Sequence, residues 1–118
     1  MQTVLVVDDS QVDRRLVGGL LQKTSSYEIV YASDGKDALD RMELDMPDLV
    51  LTDLHMPEMN GLQVLAHIRA VQPNLPVIMI SGRQDGAAVA QSFRLGAIDY
   101  LDKPASVLQI RKAAEKAI

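Results

Sequence analysis

Five short apolar runs punctuate the chain: Val4 to Val7, Ile29 to Tyr31, Leu49 to Leu51, Val77 to Ile80 and Ile98 to Leu101. They recur at intervals of about twenty to twenty-eight residues and are rich in β-branched side chains, so they predict strands. The segments between them carry helical spacing instead. Val12, Leu16 and Leu20 fall on one face after Ser10, a good N-cap with the acidic Asp13 three positions on. Leu39 and Met42 follow a turn and cap at Asp34-Gly35, and Leu62, Leu65 and Ile68 mark a third helix that must end before Pro73. Val89 and Phe93 mark a fourth, weaker one, ended by Gly96. Val107, Ile110, Ala114, Ala117 and Ile118 form the stripe of a fifth, expected to start at Pro104 because proline suits a first helical turn.

Strict alternation of strand and helix, with strands apolar on both faces, implies an α/β fold: a parallel sheet covered by helices on both sides. At 118 residues and 47% hydrophobic content the expectation is a single domain over 1–118. The apolar stretches are far shorter than the ~20 residues needed to span a bilayer, and no basic signal region precedes the first run, so no membrane association and a cytoplasmic setting are expected. Without cysteine there are no disulfides and no thiolate metal sites. A net charge of -4, with no basic stripe, argues against direct binding of nucleic acid. Gly18-Gly19 inside the first helix reads as close packing, not as a phosphate loop, because no GxGxxG or GxxxxGK pattern surrounds it.

Polar chemistry is concentrated where the runs give out. The first ends in Asp8-Asp9, the third in Asp53, the fourth in Ser81, and Tyr100-Leu101-Asp102 leads into Lys103-Pro104. In a parallel sheet all these groups meet at one edge, which is where open α/β sheets place their ligands. Three crowded carboxylates raise one another's pKa, and a divalent cation relieves the repulsion. Oxygen-only ligands with room for water and phosphate suit Mg²⁺. One carboxylate can then act as nucleophile toward a phosphoryl group whose oxygens are neutralised by metal, lysine and hydroxyl. His55 and His67 are too few to make a zinc or iron site, and His67 reads as a helix-surface residue. Met42, Met46, Met56, Met59 and Met79 read as core or loop residues, not as a cofactor box.

Four pieces in this order and spacing are specific: Val4 to Ser10 with its Asp8-Asp9 pair, Asp53-Leu54-His55-Met56-Pro57-Glu58-Met59-Asn60-Gly61, Ser81, and Gly96-Ala97-Ile98-Asp99-Tyr100-Leu101-Asp102-Lys103-Pro104. On them the chain resembles a response-regulator receiver domain of two-component signal transduction, of the chemotaxis-receiver kind, over essentially its full length. The resemblance implies a flavodoxin-like (βα)5 three-layer sandwich with strand order 2-1-3-4-5, an order that periodicity alone does not give. It implies one response regulatory domain, 1–118, with no output domain in the chain.

It further implies a phosphoprotein switch in a phosphorelay. Asp53 is the expected phosphoacceptor, taking a phosphoryl group from a sensor histidine kinase or phosphotransfer protein. Asp9 and Asp53 are the expected direct Mg²⁺ ligands, with Asp8 acting through water and His55 through its backbone carbonyl. Lys103 pairs with Asp53 or the phosphoryl oxygens, Ser81 moves to hydrogen-bond them, and Tyr100 swings inward, changing a surface read by an output domain or a separate effector. The Lys103-Pro104 bond is cis in such proteins, and His55 and Arg83 occupy the positions that tune hydrolysis. The chain is expected to catalyse its own phosphorylation and dephosphorylation without being a turnover enzyme.

Two readings of other classes compete. A Mg²⁺-dependent aspartyl phosphatase of the haloacid dehalogenase kind also uses Asp, Ser or Thr, and Lys, but carries its nucleophile in a DxD pattern after the first strand. Here the candidate follows the third strand and the pattern is Asp53-Leu54-His55. A non-phosphorylated pseudo-receiver, a pure binding module, is disfavoured by the intact set of five residues. Departures from the family pattern are Ala105, where phenylalanine usually follows Lys-Pro, and Gln109 and Ala113, where receivers that dimerise in the winged-helix subfamily carry Glu and Arg.

Overall fold

The computed structural model describes residues 2–24, 27–82 and 86–118. Strands and helices alternate as β1 (Thr3–Val7), α1 (Gln11–Thr24), β2 (Glu28–Ala32), α2 (Gly35–Leu44), β3 (Leu49–Asp53), α3 (Gly61–Val71), β4 (Val77–Ser81), α4 (Gly86–Arg94), β5 (Asp99–Asp102) and α5 (Val107–Ala117). All neighbouring strands pair in parallel in the order β2-β1-β3-β4-β5. This is the flavodoxin-like topology that the resemblance implied.

The period of two along each strand divides the core into two layers. Val4, Val6, Leu49, Leu51, Ile78 and Ile80 face α1 and α5, meeting Val17, Leu21, Ile110, Ala113 and Ala114. Leu5, Val7, Val50, Val77 and Met79 face the other way, onto Ala38 and Met42 of α2 and Val64, Leu65 and Ile68 of α3. Because both faces are covered, β3 and β4 are buried at every residue, and this is why they read as unbroken apolar runs. Each such Val, Leu or Ile contributes about 1.5–3 kcal/mol through removal from water.

Side chains cap the helices that follow these strands. Asp34 accepts from the Asp37 N–H at 2.7 Å, and Asn60 with Gln63 forms a reciprocal capping box at the start of α3. The Ser10 hydroxyl accepts from the Asp13 N–H at 3.3 Å. Helix α5 starts later than expected: Ser106, with Gln109 in a second capping box, is its N-cap, and Pro104 lies before it. A capping box satisfies two orphan N–H groups, whereas proline merely tolerates having none.

Two expected stripes, those of α1 and α4, are displaced. On α1, Val12 and Leu16 are 76% and 55% exposed, while the buried residues are Val17 and Leu21. The core face is rotated by about a third of a turn from the one that the most regular spacing suggests. On α4 the buried positions are Ala88 and Ser92, not Phe93, because small residues let the helix lie close, and the Ser92 hydroxyl donates to the Val89 carbonyl at 2.7 Å. The α5 stripe holds at Ile110, Ala114, Ala117 and Ile118 and fails only at Val107, which is exposed; Ala113 is buried as well, so it lies off any surface where a dimer-forming pair would sit. Ile98 precedes β5 and is likewise exposed. Of the two glycines in α1, Gly18 has the packing role: a Cβ there would collide with the Tyr31 ring of β2, whereas Gly19 faces open space.

Candidate functional site

Register assembles the site. Val7 of β1 pairs with Thr52 of β3, so Asp8 and Asp53 emerge side by side one step further on. The ladder continues past the strand ends through Asp8 N–H to Ala32 O (3.1 Å), Leu54 N–H to Ile80 O (3.3 Å) and Lys103 N–H to Ser81 O (2.8 Å). These bonds fix the backbone from which each functional side chain projects. Gly61 lies so close beneath that a Cβ would run into the Asp53 carbonyl, and its N–H donates to Leu54 O at 2.9 Å. That contact draws the 55–60 loop against the site.

Carboxylate oxygens of Asp8, Asp9 and Asp53 all lie within 4.8 Å of one another. Asp8 and Asp53 are buried and Asp9 is exposed. A cleft of 420 Å³ lined by Asp9, His55, Met56, Pro57 and Asn60 adjoins them. His55 is half-buried, and its Nε2 is buried with no hydrogen-bond partner among the described residues. His67 is exposed on α3 and takes no part. Burial raises the Asp53 pKa above the ordinary aspartate value, and the Asp8 charge adds to this; Lys103 and the backbone N–H groups of His55 and Leu54 pull it down. An all-oxygen cluster of this kind fits a hard divalent cation.

Lys103 reaches this cluster from the end of β5. Its Nζ is 2.6 Å from Asp8 Oδ2, 3.0 Å from Asp13 Oδ2 and 3.6 Å from Asp53 Oδ2. Its shortest contacts are therefore with Asp8 and Asp13, not with Asp53. Burial alone would lower the Lys103 pKa, but hydrogen bonds to Asp8 and Asp13 and the nearby charges of Asp53 and Asp8 outweigh it and hold the value above the ordinary one. The Lys103–Pro104 peptide bond is cis.

Ser81 is fully buried at the end of β4. Tyr100, beside Met79 in the β4–β5 register, packs against the α2–α3 layer, and its hydroxyl is buried with no hydrogen-bond partner among the described residues. The ring is already inward. Of the residues expected at the site, Asp8, Asp9, Asp53 and Lys103 come together as a cluster, with His55 and Ser81 flanking it and Tyr100 further along the sheet. Arg83 lies outside the described residues. Asp13 and Arg14 were not anticipated; Arg14 Nη1 donates to the Asp8 carbonyl at 2.7 Å. Asp13 lies one turn before the buried Val17 on α1, but in sequence a first-turn acid looks like an ordinary partner of the helix dipole.

Residues 4–115 match the family described as response regulator receiver domain. The sequence is 39% identical over 115 residues to a protein-glutamate methylesterase/protein-glutamine glutaminase of Trichodesmium erythraeum, covering 95% of this chain and 33% of that protein. It is 40% identical over 101 residues to the Regulator of RpoS of Escherichia coli, covering 86% of this chain and 30% of that protein. Among solved structures, the receiver domain of NtrX from Brucella abortus superposes with a TM-score of 0.91 at 34% identity, covering 97% of this chain and 96% of that one. Vibrio cholerae chemotaxis protein CheY4 superposes at 0.92 with 28% identity, covering 100% and 99%. The chain belongs to the response regulator receiver family and is a receiver domain of two-component signal transduction. It spans about a third of the length of curated relatives such as these. Receiver domains generally bind Mg²⁺ at an acidic pocket, and the clustered Asp8, Asp9 and Asp53 provide one here. No helix among the described residues is long and apolar enough to cross a membrane.

Proposed function

We propose that the chain is a phosphorylation-dependent switch that accepts a phosphoryl group on Asp53 from a histidine kinase or phosphotransfer protein. The observation that carries this reading is the Asp53 carboxylate, which lies within 4.8 Å of the Asp8 and Asp9 carboxylates and 3.6 Å from the Lys103 ammonium. An Asp53 oxygen attacks phosphorus, a P–O bond forms, and the P–N bond to the donor imidazole breaks with its electron pair returning to the ring. Lys103 and the Ser81 hydroxyl act on the phosphoryl oxygens, where charge must be neutralised in the transition state. Asp9, Asp53 and the His55 carbonyl would hold Mg²⁺ directly and Asp8 through water; the cation would supply further neutralisation of the same oxygens.

Asp53 fits the nucleophile's role because it is buried beside a cation yet keeps its carboxylate free of any hydrogen bond shorter than the 3.6 Å approach of Lys103 Nζ among the described side-chain donors. His55, at the mouth of the cleft, and Arg83 are proposed to tune hydrolysis of the acyl phosphate. The conformational output is assigned to Ser81 and Tyr100, whose surroundings would present the altered surface to an output domain or a separate effector. Relatives of greater length, a methylesterase/glutaminase and NtrX among them, are consistent with the first arrangement. The reading also places the chain in the cytoplasm as a single receiver domain over 1–118.

Incubation with Mg²⁺ and acetyl phosphate should add one phosphoryl group by intact mass, and Asp53→Ala should abolish the addition while the circular dichroism spectrum is kept. Labelling of Asp53→Ala at the wild-type level would reject the assignment.

A further inference from the structure

Lys103 has more acceptors than the proposed chemistry requires. Its ammonium has three N–H donors, and the two closest carboxylate oxygens belong to Asp8 at 2.6 Å and Asp13 at 3.0 Å. Asp53, at 3.6 Å, is beyond hydrogen-bonding distance. Asp13 comes from the first turn of α1, ninety residues away in sequence, and lies outside the three-carboxylate cluster. Its side chain is 40% exposed, against 2% for Asp8. Water can therefore replace the lysine at Asp13, whereas a deserted Asp8 would be a buried, uncompensated charge.

We propose that Asp13 is a positioning residue that holds the Lys103 ammonium toward α1 in the unphosphorylated chain and so competes with the phosphoryl group for it. A phosphoryl group on Asp53 brings added negative charge and new acceptor oxygens, toward which the ammonium turns. The contact it gives up is the one to Asp13, since that carboxylate is the one solvent can take over. Asp13 thus favours the unphosphorylated arrangement, and its effect passes through Lys103. A contact made in one state only is what biases a two-state equilibrium. The inference rests on the reading of Asp53 as phosphoacceptor.

The test measures the affinity for beryllofluoride, a phosphoryl mimic, at fixed Mg²⁺ by fluorine NMR, alongside melting temperature. Asp13→Asn keeps the side-chain shape but removes the charge that holds Lys103, and should bind beryllofluoride about two- to fivefold more tightly, the scale of a half-exposed ion pair. Asp13→Glu, which retains the charge, should lie closer to wild type than to Asp13→Asn. An equal or weaker affinity in Asp13→Asn overturns the proposal; a lowered melting temperature with unchanged affinity makes Asp13 a structural ion pair only. The same gain from Asp40→Asn, an exposed acid on α2, would assign the effect to net charge and equally overturn it. Absence of beryllofluoride binding in wild type would instead remove the phosphoacceptor reading on which the inference depends.

Discussion

A carboxylate that is harder to ionise in the folded chain than in the unfolded one makes folding pH-dependent in a definite direction. Asp53 is such a group, its pKa raised from 3.8 by burial first and by the Asp8 charge second. The folded state then binds the Asp53 proton more tightly than the unfolded state does. The associated stabilisation is fully present below the unfolded pKa and is lost as pH rises through the raised folded value. At neutral pH and without metal, the ionised Asp53 opposes folding. Asp53→Asn should therefore melt higher than wild type at pH 7 in EDTA. The gap should close as the pH falls toward the unfolded pKa, where the wild-type carboxyl is itself neutral. Calorimetric scans across that range check the sign, and a lower melting temperature for the variant at pH 7 would contradict it. Sequence position alone marked Asp53 as special, because it ends a run buried on both faces. Its partner Lys103 was equally visible, but the sharing of that lysine with Asp13 was not, since a first-turn acid looks like an ordinary partner of the helix dipole.

Among the elements, the strands were more legible than the helices. A strand buried on both sides leaves no choice of face, so the runs at Leu49 and Val77 could be read directly. A helix must choose, and α1 offers two apolar stripes, one through Val12 and Leu16 and one through Val17 and Leu21. The packing of α1 on the sheet and α5 selects the second. On α4 the buried face consists of Ala88 and Ser92, which carry little hydrophobic signal. The strand order likewise came from resemblance to a family, because periodicity is silent on which strands are neighbours. The choice of face on α1 has a measurable consequence. Leu21→Ala removes a fully buried side chain from the layer with Ile110 and Ala114, and should cost about 2–5 kcal/mol in urea unfolding. Leu16→Ala, at an exposed position, should stay within about 0.5–1 kcal/mol of wild type. Equal losses at the two sites would mean that α1 is rotated from the orientation described.

Over the whole molecule, the sheet is the element that can join the acidic edge to a distant surface. Alternation along β4 places Ser81 on the same side as Met79, and Met79 pairs with Tyr100 of β5. Ser81 and the Tyr100 ring thus lie on one face of adjacent strands, Ser81 at the phosphoryl end. On the proposed reading, the inward ring is the position expected when the Ser81 hydroxyl is drawn toward a phosphoryl group, and phosphorylation would act by holding the ring in this arrangement. A ligand shifts such an equilibrium only by its differential contacts with the two states, and on the proposed reading the Ser81–phosphoryl hydrogen bond would be that contact. Ser81→Ala should still bind beryllofluoride at Asp53, because the carboxylate cluster and Lys103 are intact, but the amide NMR shifts that the mimic induces around Tyr100 should shrink to less than about half of the wild-type change. Comparing the two spectra at saturating beryllofluoride decides the matter. Identical shifts around Tyr100 in variant and wild type would show that the ring responds to phosphorylation by a route that does not pass through Ser81.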